Sequence, residues 1–210
     1  MKLFNSTKKW TDWWKNRKID WKQHYMNPNH PHRLIIAETL KHIPWFSLIE
    51  VGCGAGANLV TIVKTLPGRQ VGGVDINSDA IEYAQKVFTN GLFKVNKADD
   101  VLLSDKSVDV ILSDMCMIYV TPNLIGKHLN EFKRLARSYV VLCEFHSDSW
   151  WNRFVLKWKE GYNSYNWPKL LEKYGYYDIQ KYKIPKEGWP ESNLQQKYGY
   201  IIVARTPKYY

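Results

Sequence analysis

Short apolar runs alternate with stretches of helical period through the middle of the chain, and this alternation predicts a βαβ architecture with a largely parallel sheet. The runs at 47–51, 70–75, 92–96, 108–113, 138–145, 178–184 and 198–205 read as strands. Segments 56–66, 78–89, 123–136 and 166–174 carry the spacing of helices packed on one face. The last two strands have no clear helix between them, so the final one is expected to run antiparallel.

Ahead of the first strand, Trp10, Trp13, Trp14, Arg17 and Trp21 recur at three- and four-residue intervals while Lys9, Lys15 and Lys22 point elsewhere. That spacing predicts an amphipathic helix, followed after Asn27-Pro28-Asn29 by a second helix over roughly 31–43. No repeat or low-complexity tract interrupts the pattern. A chain of 210 residues with 45% hydrophobic content can bury one sizeable core. The expected organisation is a basic, aromatic helical cap over 1–45 and a single domain over 46–210, with 146–190 inserted to shape a pocket.

The strongest local signal is Leu48-Ile49-Glu50-Val51-Gly52-Cys53-Gly54-Ala55-Gly56-Ala57-Asn58-Leu59. A buried strand leads into alternate glycines and then a helix start, an arrangement that lets backbone approach a ligand and presents unpaired amides to it. Gly52, Gly54 and Ala57 also satisfy a dinucleotide-binding GxGxxA pattern, so a nicotinamide cofactor stays open at this point. Glu50 and the third glycine, Gly56, favour a methyl donor. Asp75 closes the second strand 23 residues after Gly52, where a carboxylate can accept both hydroxyls of a ribose.

The run from Leu48 to Val120 resembles the class I S-adenosylmethionine-dependent methyltransferases, particularly their small-molecule branch. The resemblance implies a single Rossmann-like doubly wound α/β fold of seven strands, mostly parallel with an antiparallel last strand, behind an N-terminal helical cap. It implies S-adenosylmethionine as cofactor, with its methionine moiety held by the glycine loop: Glu50, Gly52, Cys53, Gly54, Gly56 and Asn58. Asp75 would hold the ribose and Ile76 would lie against the adenine. In Ala98-Asp99-Asp100-Val101 an acid would meet the adenine amine, with Asp99 preferred over Asp100. Val108-Asp109-Val110-Ile111-Leu112-Ser113-Asp114-Met115 matches the family's fourth strand, placing Ser113 and Asp114 at the site. By the same analogy Tyr25, His30 or Arg33 would reach the donor's carboxylate.

Two departures narrow the acceptor. Asp114 is not followed by the Pro-Pro-aromatic sequence of amino-directed nucleic-acid enzymes, and Cys116 lacks the Pro-Cys signature of cytosine-C5 enzymes, so it reads as a structural cysteine. Methyl transfer from an activated sulfonium needs alignment and exclusion of water, and a hydroxyl, phenol or carboxyl acceptor gains from a nearby base. The candidates after the fourth and fifth strands are Asp114, Tyr119, Glu144, His146 and Asp148, with His146 foremost because imidazole titrates near neutral pH. His30-Pro31-His32 offers two imidazoles without partners at a recognised metal spacing, so no metal is expected.

Charge and tryptophan set the flanks apart. Residues 1–33 carry eight Lys/Arg against two Asp/Glu and residues 151–210 carry eleven against five, whereas the centre is slightly acidic; the net charge is +10. Nine of the ten tryptophans lie before residue 22 or after residue 149. Such flanks suit an anionic or aromatic small-molecule acceptor, a polynucleotide in the manner of an RNA methyltransferase, or a membrane surface without stable insertion. A non-catalytic nucleotide-binding module is the reading from outside enzymology. Three cysteines without CxxC spacing and the lack of a signal-peptide-like start point to a cytoplasmic protein of undetermined oligomeric state.

Overall fold

The computed structural model describes residues 7–22, 27 and 29–207. In chain order the helices are α1 (Thr7–Lys15), α2 (Pro31–Lys41), α3 (Ala57–Thr65), α4 (Ser78–Val87), α5 (Ile125–Leu135), α6 (Trp150–Glu160), α7 (Trp167–Lys173) and α8 (Asn193–Tyr198). The strands are β1 (Ser47–Val51), β2 (Gln70–Asp75), β3 (Leu92–Val95), β4 (Val108–Asp114), β5 (Ala136–Phe145), β6 (Tyr177–Lys183) and β7 (Gly199–Arg205). Single 3₁₀ turns stand at Met117–Tyr119 and Lys186–Gly188.

All seven strands form one sheet in the order β3-β2-β1-β4-β5-β7-β6. β1 pairs in parallel with β2 and β4, β4 with β5 and β2 with β3, while β7 runs antiparallel between β5 and β6. This is the Rossmann-like sheet with an antiparallel last strand that the resemblance implied and the alternation of strands and helices foreshadowed. β1 is buried along its whole length because helices cover both faces, which is why it reads as a continuous apolar run.

The two-residue period of β4 divides the core. Val110 and Leu112 join α2, α3 and α4 through Ile36, Leu40, Leu59, Ile62 and Ile81, whereas Ile111 turns to α5 and α7 through Leu129, Phe132 and Trp167. Asp109 sits at the entry to β4 as a clamp, accepting from the amides of Phe46 and Ser47 and from Arg137. Partial burial works against its charge, yet these donors, Arg137 foremost, hold its carboxyl down at about 2. β6 is the outer strand; it is polar and exposed, with Lys181 and Lys183 on it, the usual protection for an open edge.

In the N-terminal region α2 packs into the core through Ile36, Ala37 and Leu40, while its first turn brings His32 and Arg33 to the crevice beside α1. The helix expected to run through Trp21 stops at Lys15, where the side-chain amide of Asn16 folds back onto the carbonyl of Asp12 and shares it with the last helical bond. Trp21 then packs separately against Ala55 and Ala80. Two helices missed in the sequence, α6 and α8, occupy stretches without core-facing periodicity.

Candidate functional site

The crevice opens at the C-terminal ends of β1, β2 and β4, where the strand order reverses between β1 and β4, the place open α/β sheets use for ligands. It encloses about 910 Å³. Its floor is the loop between β1 and α3. Gly52 (φ +71°) and Gly54 (φ +52°) take the left-handed backbone there, and the amides of Gly52 and Cys53 both donate to the carbonyl of Val74. A Cβ on Gly52 would stand 2.6 Å from Cys116 Sγ, so this position also brings the loops after β1 and β4 together.

Asp75, at the end of β2, accepts from the amide of Gly54 at 2.9 Å and from that of Asn77 at 2.9 Å. Burial raises its pKa and the two amides oppose the rise. These bonds fix the carboxylate at the side of the glycine loop and leave lone pairs for a diol. Ile76 continues the same wall, and Asp99 closes it opposite, where Lys127 at 3.0 Å overcomes partial burial and keeps the acid ionised.

At the centre Asn58 joins two acids. Its Nδ2 donates to Glu50 Oε1 at 2.6 Å and to Asp114 Oδ2 at 2.9 Å, and its Oδ1 accepts from Arg33 at 2.5 Å. Glu50 Oε2 and Asp114 Oδ1 are buried without a donor. Two unpaired carboxylate oxygens lining a cavity suit a ligand rich in N–H or O–H, since buried acceptors otherwise cost stability. The acids behave oppositely. Burial, reinforced by the charge of Asp114, pushes Glu50 up to about 8. Burial opposes ionisation of Asp114 too, but the facing imidazole of His32 and the guanidinium of Arg33 hold it at about 2.

From Asp114 a chain of side chains runs to the surface. His32 Nε2 lies 3.0 Å from Asp114 Oδ2, His32 Nδ1 is 2.5 Å from His30 Nδ1, and His30 Nε2 is 2.5 Å from Glu191 Oε1. Glu191 is more than half exposed whereas Asp114 and His32 are buried. Trp189 stacks on the ring of His32 at 3.8 Å, locking its plane. Burial lowers the pKa of His32, which favours the neutral ring despite Asp114, and a neutral ring that donates to Asp114 from Nε2 accepts from His30 at Nδ1.

The opposite wall is aromatic. Tyr119 contacts Trp10 at 4.8 Å and Trp14 at 5.7 Å between ring centroids, and Tyr162 stacks on Trp10 at 5.8 Å. α1 supplies the two tryptophans and closes the crevice from above.

Of the residues expected at the site, Glu50, Gly52, Cys53, Gly54, Asn58, Asp75, Ile76, Asp99, Asp114, Tyr119 and Arg33 line the cavity. Gly56 (φ +84°) shapes the loop one step behind it. Tyr25 lies outside the described residues. Five other candidates lie outside the cavity. His146 does not line the cavity: it is buried on the far side of β5, with Nδ1 accepting from the amide of Trp167 and Nε2 beside Lys181. Burial and that ammonium lower its pKa. Ser113 and Glu144 form a buried brace, Ser113 donating to Glu144 Oε1 while the amides of Cys116 and Met117 donate to the same oxygen. Asp100 is exposed outside the cavity, and Asp148 pairs with Lys181 and Asn166.

The 146–190 segment contributes Trp189 to the lining rather than a whole wall. His32, Trp189 and Glu191 were not assigned to the site from the sequence; only the His30-Pro31-His32 pair hinted at them. Cys116 lines the cavity, but burial and nearby carboxylates push its thiol up, so it stays protonated at neutral pH.

Residues 48–138 match the model of a methyltransferase domain family. Over this segment the chain carries a methyltransferase domain. No curated protein matches the chain in sequence. In structure, this methyltransferase is similar to a protein from Pyrococcus horikoshii OT3 (17% identity, 90% of this chain and 97% of that one, TM-score 0.66). It is similar also to an S-adenosylmethionine-dependent methyltransferase from Aquifex aeolicus (17% identity, 90% and 100%, TM-score 0.60). A third is geranyl diphosphate C-methyltransferase from Streptomyces coelicolor A3(2), solved with Mg²⁺, geranyl diphosphate and S-adenosylhomocysteine (14% identity, 96% and 98%, TM-score 0.66). At these identities the likeness is one of fold. Among the described residues, no helix of this methyltransferase is long and apolar enough to cross a membrane.

Proposed function

We propose that this methyltransferase acts on an oxygen or nitrogen of a small molecule, and that, where the acceptor is a hydroxyl, Asp114 receives the proton which it gives up. The observation that carries the reading is the hydrogen-bonded series Asp114, His32, His30, Glu191, which leads from an unpaired oxygen inside the cavity to an exposed acid.

The residues present fit S-adenosylmethionine. Glu50 Oε2, buried and without a donor, would take the methionine ammonium, and Arg33 would face its carboxylate. Asp75 would hold the ribose, Ile76 and Asp99 the adenine, and the bend at Gly52 and Gly54 would admit the chain between them. Bound there, the cofactor supplies an already activated methyl group. What remains for the protein is to align the acceptor, exclude water and move a proton.

An oxygen that has gained a methyl group and still carries its proton is a strong acid, so even the weakly basic Asp114 can accept from it. Once Asp114 is protonated, His32 in its other tautomer, accepting at Nε2 and donating from Nδ1 to His30, and His30 donating from Nε2 to Glu191 offer a route by which the proton reaches solvent. Tyr119, set among Trp10, Trp14 and Tyr162, would position the acceptor by ring contact and by its hydroxyl. A cavity of about 910 Å³ roofed by α1 is of the size that holds small ligands, and supports a metabolite over a polynucleotide laid in an open groove. The Streptomyces enzyme of like fold, solved with a small diphosphate, is in keeping with that choice.

A panel of small phenols, carboxylates, amines and phosphate-bearing acceptors, run beside total RNA, tests the reading. Turnover on a small acceptor that is lost in Asp114→Asn supports it. Turnover confined to RNA, with steep salt dependence, would contradict it.

A further inference from the structure

Beyond the cavity, the exposed surface carries a feature that catalysis does not use. On α6 four large aromatic side chains face solvent: Trp150 (68% exposed), Trp151 (56%), Phe154 (51%) and Trp158 (63%). At about 100° per residue they fall within one arc of roughly 100° on the helix. Leu156, the buried residue of α6, lies on the opposite side. The helix is therefore amphipathic twice over, with an inner apolar contact and an outer aromatic face. Three of the rings touch, Trp150 against Trp151 at 5.5 Å and Trp151 stacked on Phe154 at 5.6 Å, and Trp158 follows one turn beyond Phe154 on the same face. Four such rings at this exposure present roughly 500 Å² of aromatic surface, as much as the largest patch on an ordinary monomer and a mark of an interaction site.

We propose that α6 docks the protein on an anionic lipid bilayer, its aromatic face lying in the headgroup layer without crossing it. Three observations select that occupant over a protein partner. Three of the four rings are tryptophan, whose apolar body and N–H suit the boundary between headgroup and acyl chain. Arg153, Lys157 and Lys159 flank the face, and the single acid of α6, Glu160, is its last residue. Lysine is depleted at protein interfaces but adds attraction beside an anionic surface. Residues 150–210, which include α6, have more than twice as many basic as acidic residues. The helix is also anchored firmly enough to serve as a platform. Ser149 caps its start, Gly161 (φ +78°) closes its end, and Leu156 packs with Ile118, Phe145 and Tyr198.

The test uses the full chain and needs neither cofactor nor acceptor, so it is independent of the reading of the cavity. Vesicles of phosphatidylcholine alone, and with one third phosphatidylglycerol, are sedimented with the protein. The expected result is binding to the anionic vesicles with a blue shift of tryptophan emission, weakened severalfold by half-molar salt. The variant carrying Trp150→Ser, Trp151→Ser, Phe154→Ser and Trp158→Ser should keep the wild-type circular dichroism, since these side chains are exposed, and lose binding by on the order of tenfold or more. Binding that is unchanged in the variant, or wild-type protein that stays in the supernatant with both vesicle types, would overturn the proposal. So would light scattering that shows a wild-type dimer which the variant splits, because the patch would then be an interface between copies of the chain.

Discussion

Glu50 makes the grip on the cofactor depend on pH in a calculable way. Its carboxyl is buried, 1% exposed, and its pKa is pushed up to about 8. If it receives the methionine ammonium, only its ionised form binds well. At about pH 6.5 ionisation costs roughly 2 kcal/mol, so the dissociation constant for S-adenosylhomocysteine should be about 30-fold weaker than its limiting value at high pH. It should improve about tenfold per unit up to pH 8 and then level off. Titration calorimetry at several pH values, in two buffers of different ionisation enthalpy, measures both the affinity and the accompanying release of close to one proton on the acid side. Glu50→Gln should bind more weakly at pH 8 and lose the pH dependence. An affinity that is flat from pH 6.5 to 8.5, with heats independent of buffer, would refute the assignment. The sign for the ligand-free chain is the reverse. A carboxyl whose folded pKa is raised binds more protons folded than unfolded, so stability falls as pH rises from about 4.5 toward 8. Glu144, also raised to about 8 by burial, adds to the fall. The lowered histidines His32 and His146 work the other way only below their unfolded pKa near 6.5, so melting between pH 7 and 8 isolates the glutamates.

Other outcomes follow from the same geometry. Asp114→Asn should lower turnover by about 10²- to 10⁴-fold, the usual contribution of a positioned base, while the affinity for S-adenosylhomocysteine stays within about threefold. His146→Ala should leave turnover unchanged and cost about 1–3 kcal/mol in denaturant unfolding, because the amide of Trp167 loses its buried acceptor. Gly52→Ala places a Cβ 2.6 Å from Cys116 Sγ at a φ of +71°; cofactor binding measured by calorimetry should weaken by more than about tenfold, with about 1–2 kcal/mol of backbone strain seen as a lower melting temperature.

The parts of the fold visible in the sequence are those where burial writes itself into composition. β1 and β4 are covered on both faces and therefore read as apolar runs, and Gly52, Gly54 and Asp75 mark the crevice because their roles are local: a backbone bend and the end of a strand. α6 escaped because Trp150, Trp151, Phe154 and Trp158 point outward, so its apolar spacing does not report a face packed on the sheet. His146 misled for a related reason. Placing it after the fifth strand identified the correct end of the sheet but not the side of the strand, and its partners Trp167 and Lys181 belong to α7 and β6, on the side away from the cavity. The proton path was illegible because Glu191 and Trp189 stand more than 150 residues along the chain from His30 and His32, which they respectively meet only through tertiary packing. Asn58, by contrast, was reachable from the motif, although the pair of acids it bridges was not.

Titration of S-adenosylhomocysteine into the wild-type chain and into Asp75→Ala tests most directly the claim that the glycine bend and this carboxylate hold the cofactor. A single saturable site in the wild type, weakened by about two orders of magnitude or more once the buried charged acceptor is gone, is the predicted result. No heat with the wild type, or equal affinity in the two proteins, would contradict it.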